Sequence, residues 1–131
     1  MVKKRERIKV EIEFPIKCSP SLLYNYISSA SGLSEWFAHD VNNRSRNEFV
    51  FTYEDGEVQH ATVIKSVANK SIRFKFEGSE TDEYLELDII VDELTEDVAL
   101  KVTEFCYEEE KRGIHELWNS EIDILKNATG G

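Results

Sequence analysis

Chemistry in this chain of 131 residues would have to come from three histidines, two cysteines and whichever carboxylates the fold buries. His39, His60 and His115 are widely separated, with no HxH or HExxH spacing. A zinc site would need distant residues and has no motif behind it, so neither a metal nor a cofactor is expected. A nucleophilic thiol needs a histidine base and a third group to orient that base. Cys18 and Cys106, each at a strand end, read instead as small half-buried hydrophobes, too few and too far apart for a disulfide framework or a CxxC site. The acidic pairs Glu11/Glu13 and Glu86/Asp88 alternate with apolar neighbours and point to water. Glu104 continues the face of Val98, Leu100 and Val102, so periodicity directs it inward, where burial would raise its pKa; the alternative is that the strand has reached the sheet margin. His60 shares a strand face with Val58, Thr62 and Ile64, a candidate inward face, the alternative being a solvent-facing ring. Together His60 and Glu104 would be the candidate inward acid–base pair. No residue is assigned as catalytic.

The aromatic residues say more. Trp36, Phe37, Phe51, Tyr53, Phe74, Phe76 and Trp118 come from a short helix, several strands and a long helix, the three surfaces that would bound a cavity. With His60 and Ile122 they are the candidate ligand contacts, and Tyr53, His60, Thr62 and Glu104 are the candidate polar groups. Plain core packing is the other fate open to them.

The elements that must position these side chains are legible from hydrophobic period. Ile8, Val10, Ile12, Phe14 and Ile16 alternate with polar residues and Pro15, a strand whose proline suits an edge or a bulge. Ser19-Pro20 reads as a helix cap followed by proline at the first helical position, opening a helix over about 19–29. Ser31-Gly32 interrupts it, and Leu33, Trp36 and Phe37 form an apolar set on a second, two-turn helix. Period two then returns: a weak strand over residues 40–44, Phe49 to Tyr53, an Asp55-Gly56 hairpin turn, Val58 to Val67, Ile72 to Phe76, Leu85 to Val91 and Val98 to Val102. Such spacing predicts an antiparallel meander. From Glu108 the period is 3.6, with Ile114, Leu117, Trp118, Ile122 and Leu125 on one face of a helix over about 109–127.

A sheet with one apolar face must cover it, and the last helix is the only element long enough to do so. The expected fold class is α+β in one domain over residues 1–131: a curved antiparallel sheet of six to seven strands wrapped around a long C-terminal helix, with two short helices after the first strand. That order resembles the START-like (helix-grip, SRPBCC) superfamily. Within it the chain is most similar to small bacterial proteins related to the chaperone ATPase activator (Aha-type) domain. The resemblance rests on Ile8 to Ile16, Ser19-Pro20 with Leu22 to Ile27, Leu33-Ser34-Glu35-Trp36-Phe37, the Asp55-Gly56 hairpin and the terminal helix with Trp118. It implies a small hydrophobic or amphipathic ligand, such as a lipid or polyketide-like molecule, held between sheet and C-terminal helix, with Trp36 and Phe37 near the mouth. It also implies two alternatives, a protein-interaction module like the chaperone activator and a cyclase or dehydratase.

Charge narrows the partners. The net charge is -10, and residues 77–110 hold fourteen of the 26 acidic side chains against a single basic one, Lys101. A net anionic surface argues against nucleic acid, and the short basic arm Lys3 to Lys9 does not reverse that. The acidic stretch reads either as a solvated sheet edge or as the face for a basic protein partner. No apolar run exceeds three residues, so neither membrane insertion nor a secretory leader is expected, and the expected compartment is the cytoplasm.

Overall fold

The computed structural model describes residues 6–130; Lys3, Lys4 and Arg5 of the basic arm lie outside them. Strands β1 (Arg7–Pro15), β2 (Asp40–Ser45), β3 (Glu48–Thr52), β4 (Val58–Val67), β5 (Ser71–Phe76), β6 (Leu85–Val91) and β7 (Val98–Tyr107) form one antiparallel sheet in the order β1-β7-β6-β5-β4-β3-β2. Helices α1 (Pro20–Ser28) and α2 (Ala30–Ser34) follow β1, and α3 (Lys111–Thr129) closes the chain after a single 3-10 turn at Glu108–Glu110. The fold is therefore α+β: a seven-stranded antiparallel sheet carrying a long C-terminal helix. The expected strand near residues 40–44 is β2, and Pro15 lies on the edge strand β1, where a missing N–H costs no ladder bond.

Alternation decides what faces the helix. Phe49 and Phe51 of β3 are buried, and their cross-strand partners on β4 are Ala61 and Gln59. Ala61, Val63 and Gln59 therefore face inward. His60, Val58, Thr62 and Ile64 take the outer face, the reverse of the expectation, with His60 opposite Val50. Leu87, Leu100 and Val102 supply the centre of the inner face. Trp118, Ile122 and Leu125 of α3 and Leu23, Ile27 and Leu33 of the short helices complete the core. Each such side chain contributes about 1.5–3 kcal/mol on burial. Leu117, expected on the packed stripe, is 54% exposed.

The break between the short helices falls at Ser29, not at Ser31-Gly32. Ser29 is extended, ends α1, and caps α2 by accepting a hydrogen bond from Gly32 N at 3.0 Å. Gly32 sits inside α2 because α1 passes too close for a side chain. A Cβ there would lie 2.2 Å from Asn25 O and 2.7 Å from Tyr26 Cα, both backbone atoms. Trp36 and Phe37 lie beyond α2 in the turn leading to β2 rather than on a second helix of two turns.

Gly32→Ala is expected to destabilise the protein by about 1–3 kcal/mol, as overpacking does. Gly113→Ala, in a helix and with open space around the new methyl, is expected to stabilise it by about 0.5–1 kcal/mol. Denaturant unfolding of the two variants checks both signs; equal effects would contradict the packing described between α1 and α2.

Candidate functional site

The sheet is incomplete beside its seventh strand. Pairing of β6 with β7 ends at Glu86 opposite Thr103, whereas β7 continues against β1 as far as Tyr107. On the other side of the gap β5 ends at Phe76. A half-open cavity of about 500 Å³ occupies this region under the N-terminal half of α3. Phe37, Tyr53, Gln59 and Phe76 line one side of it, Glu104, Phe105 and Leu85 another, and Ile114, Leu117, Trp118 and Glu121 the helix side. The segment between β5 and β6 forms its rim and is pinned: Lys75 Nζ donates to the carbonyls of Glu80 and Glu83, and Arg7 donates to the Glu83 carboxylate, with Nε to Oε2 at 2.8 Å.

The wall is aromatic and its rings touch. Phe37 lies 5.8 Å from Trp118, 6.4 Å from Tyr53 and 5.3 Å from Phe51, centroid to centroid, and Phe51 lies 5.6 Å from Phe76. These separations suit edge-to-face and tilted pairs. Helical spacing places Ile114, Leu117, Trp118 and Glu121 on neighbouring positions of α3. Period two on β7 turns Glu104 inward after Leu100 and Val102.

Two carboxyls enter this apolar setting. Trp118 Nε1 donates to Glu104 Oε1 at 3.0 Å. Burial raises the Glu104 pKa; the Trp118 hydrogen bond acts against that rise, and the charge of Glu110 adds to it. Glu121 is pushed up to about 8, first by burial and then by the charge of Glu104. The Tyr53 hydroxyl donates to Gln59 Oε1 at 2.9 Å, and burial raises its pKa too. Glu83, at the rim, is held below the ordinary carboxyl range by its hydrogen bond from Arg7.

Of the sequence-predicted residues, Phe37, Tyr53, Phe76 and Trp118 line this cavity, as does Glu104. Phe51, Phe74 and Ile122 are fully buried core side chains. Trp36 is held in the core by donating Nε1 to Tyr26 O at 2.8 Å, and it borders an adjoining depression with His39, Ala38 and Ile124. Phe37, Tyr53 and Glu121 belong to both depressions. His60 lies on the outer face with Nδ1 3.4 Å from Arg44 Nη1, bordering a separate depression with Thr62 and Lys75. The His60–Glu104 pair required for a cyclase or dehydratase is thus not assembled: the two side chains occupy opposite faces. Sequence reasoning passed over Glu121, whose signal was its place three residues after Trp118, and Gln59, whose signal was its alternation with Ala61. Arg7 and Glu83, 76 positions apart, left no local signal.

The cysteines stay apart. Cys106 pairs in register with Ile8 near the start of β1, whereas Cys18 lies beyond the other end of that strand, past Pro15. Both are free, and burial raises both thiols, away from the thiolate a nucleophile requires. Among the described residues no group of three or more His, Cys, Asp or Glu side chains could hold a metal ion, and no helix is long and apolar enough to cross a membrane.

The chain belongs to the START-like superfamily, whose domain model matches residues 4–131. Among solved structures, a Bacteroides fragilis protein determined by solution NMR is 29% identical, with 96% of this chain and 92% of that one covered and a TM-score of 0.63. The Aha1 dimer of Colwellia psychrerythraea is similar at 18% identity, 93% and 96% coverage and a TM-score of 0.75. DynU16, from the dynemicin biosynthetic locus, is similar at 13% identity, covering 91% of this chain and 46% of that one, with a TM-score of 0.70. The last two likenesses are of fold. No curated protein matches the chain.

The folded-state pKa of Glu121, about 8, exceeds the value of about 4.3 expected in the unfolded chain. The folded form therefore holds this proton more tightly. The stability it contributes is complete below about pH 4 and is lost as pH rises through about 8. Glu121→Gln removes that dependence, so its melting temperature should gain on that of the parent protein between pH 6 and pH 9. Parallel melting curves across that range would contradict the placement of this carboxyl.

Proposed function

We propose that this domain binds a small amphipathic molecule in the cavity between α3 and the sheet, its apolar body against Trp118, Phe37 and Phe76. The observation that carries the reading is the cavity itself: about 500 Å³ in volume, aromatic along its walls and open at the end of β6. That volume lies within the range of about 300–1,000 Å³ typical of small-molecule sites, which combine apolar walls with a few placed polar groups. Here the placed groups are the Trp118-bound Glu104, Glu121 and the Tyr53–Gln59 pair. Membership of the START-like superfamily supports a ligand-binding or interaction domain in general terms.

One observation favours a second reading, docking of a basic protein partner, as the similarity to Aha1 also suggests. Leu94 is 94% exposed in the turn between β6 and β7, between Glu93 and the acidic Glu96 and Asp97. Further along β6 the acids are already engaged, Asp88 with Lys70 and Glu86 with Arg73, and Lys101 of β7 pairs with Glu11 of β1. The turn is therefore where acidic charge and apolar surface are both left outward.

A thermal-shift screen of fatty acids, alkyl alcohols, alkyl amines and aromatic polyketide-like compounds separates the readings. A fitting ligand at one hundred times its Kd should add about 2.7 kcal/mol of stability. It should also change the emission of Trp118, and Leu117→Trp at the mouth should weaken both effects. If no class of compound stabilises the protein, the cavity reading is wrong.

A further inference from the structure

The lining of the cavity is unbalanced in charge. Among the described residues, Asp55, Glu57, Glu83, Glu104 and Glu121 border it, Arg7 is the one cationic side chain that does, and no lysine or histidine does. Arg7 is already committed to Glu83, with its guanidinium also stacked 4.6 Å from the Tyr107 ring. Four carboxyl groups thus face the cavity with no uncommitted cation among the described residues of its walls, two of them inside among aromatic rings and two, Asp55 and Glu57, on the β3–β4 turn at the rim. Asp55 Oδ1 accepts from Glu57 N at 2.9 Å, fixing that turn. A carboxylate or phosphate headgroup would find no free cation there to pair with and would pass the rim carboxylates Asp55 and Glu57. A cation would meet ring faces and carboxyl oxygens together, the combination that holds ammonium groups.

We infer that the molecule taken by this cavity is a cationic amphiphile, an alkyl or aryl ammonium compound. Its charged head lies between Glu104 and Glu121 beside Trp118 and Tyr53, and its apolar tail runs along Phe37, Phe76 and Leu117. The inference rests on the ligand-binding reading above and adds the ligand's charge. Both interior carboxyls belong to rigid elements, Glu104 to β7 and Glu121 to α3, so the head site is formed before binding. Burial keeps Glu121 largely protonated at neutral pH, about 8 being its half-point, so a cation arriving there displaces a proton. Affinity should then rise with pH between 6 and 9. The groups that face the head are Glu104, Glu121, Tyr53, Asp55 and Glu57, with the Arg7–Glu83 pair at the rim, and Glu121 also borders the adjoining depression with Glu35, His39 and Glu54.

The test compares three probes of one chain length, all below their micellar concentrations: decyltrimethylammonium, decanol and decanoate, titrated against the full chain by calorimetry and tryptophan emission. The expected order is the ammonium probe tightest, by about tenfold over decanol, with decanoate weakest. Glu104→Gln and Glu121→Gln should each bring the ratio of ammonium to decanol affinity from about tenfold down toward one. Calorimetry at pH 7 in two buffers of different ionisation enthalpy should show proton release with the ammonium probe only. Equal binding of all three probes, or preference for decanoate, overturns the cationic inference while the amphiphile reading stands. Binding of none overturns both. Should a glutamine variant fail to melt cooperatively, the order of the three probes on the parent protein still decides.

Discussion

Trp118 sits where the two halves of α3 differ. On its C-terminal side Ile122 and Leu125 are fully buried against the sheet, and Tyr26 of α1 donates to the carbonyl of Ala128, tying the end of the helix down. On its N-terminal side Leu117 is exposed, Ile114 is only partly covered, and the sheet below has lost β6. The indole closes the core with its ring while its N–H reaches Glu104 at the floor of the cavity. A helix packed along its whole length would leave no cavity; packed along half, it roofs one beside Trp118. The architecture of the site follows from that unequal burial.

The carboxyls make the arrangement costly and therefore informative. An ionised carboxylate taken out of water loses several kcal/mol of solvation unless it is paired, and Glu104 has one indole donor where water would offer several. The usual response is to hold a proton instead, which is the direction of both the Glu104 and Glu121 shifts. An aliphatic side chain at either position would fill the space at no such cost. Other partly buried acids are paired: Glu83 with Arg7 at the rim, and Asp88 with Lys70 and Glu86 with Arg73 across the sheet. Against that pattern, two unpaired acids inside an aromatic pocket mark the place where a ligand would complete the structure.

Hydrophobic period reveals most of this in the sequence. Ile8 to Phe14, the β5 to β7 alternation and the Ser19-Pro20 cap each specify their element locally, and an apolar sheet face together with one long amphipathic helix leaves few ways to assemble them. Glu104 was readable because it extends an unbroken apolar series. His60 was misread because both faces of β4 carry apolar residues, and size rather than polarity chooses between them. Opposite Phe49 and Phe76 only the small Ala61 fits, which sends Val58 and Ile64 outward. Glu121 was hidden because a polar residue on an amphipathic helix is normally on the wet side. The Arg7–Glu83 clamp joins residues that only the sheet order brings together. Ser31-Gly32 looked like a helix break because glycine commonly ends helices, whereas here it answers to the close backbone of α1.

The central claim is that the space under the N-terminal half of α3 is a binding site. It is tested most directly by intermolecular nuclear Overhauser effects between a bound alkyl amphiphile and a protein labelled at its isoleucine and leucine methyls and its indoles. Contacts from the alkyl chain to Ile114, Leu117, Leu85 and the Trp118 indole, all of which border the cavity, are the result this account predicts. Contacts confined to Ile64 and Val58 on the outer face, or no contact with the Trp118 indole at saturation, would contradict it.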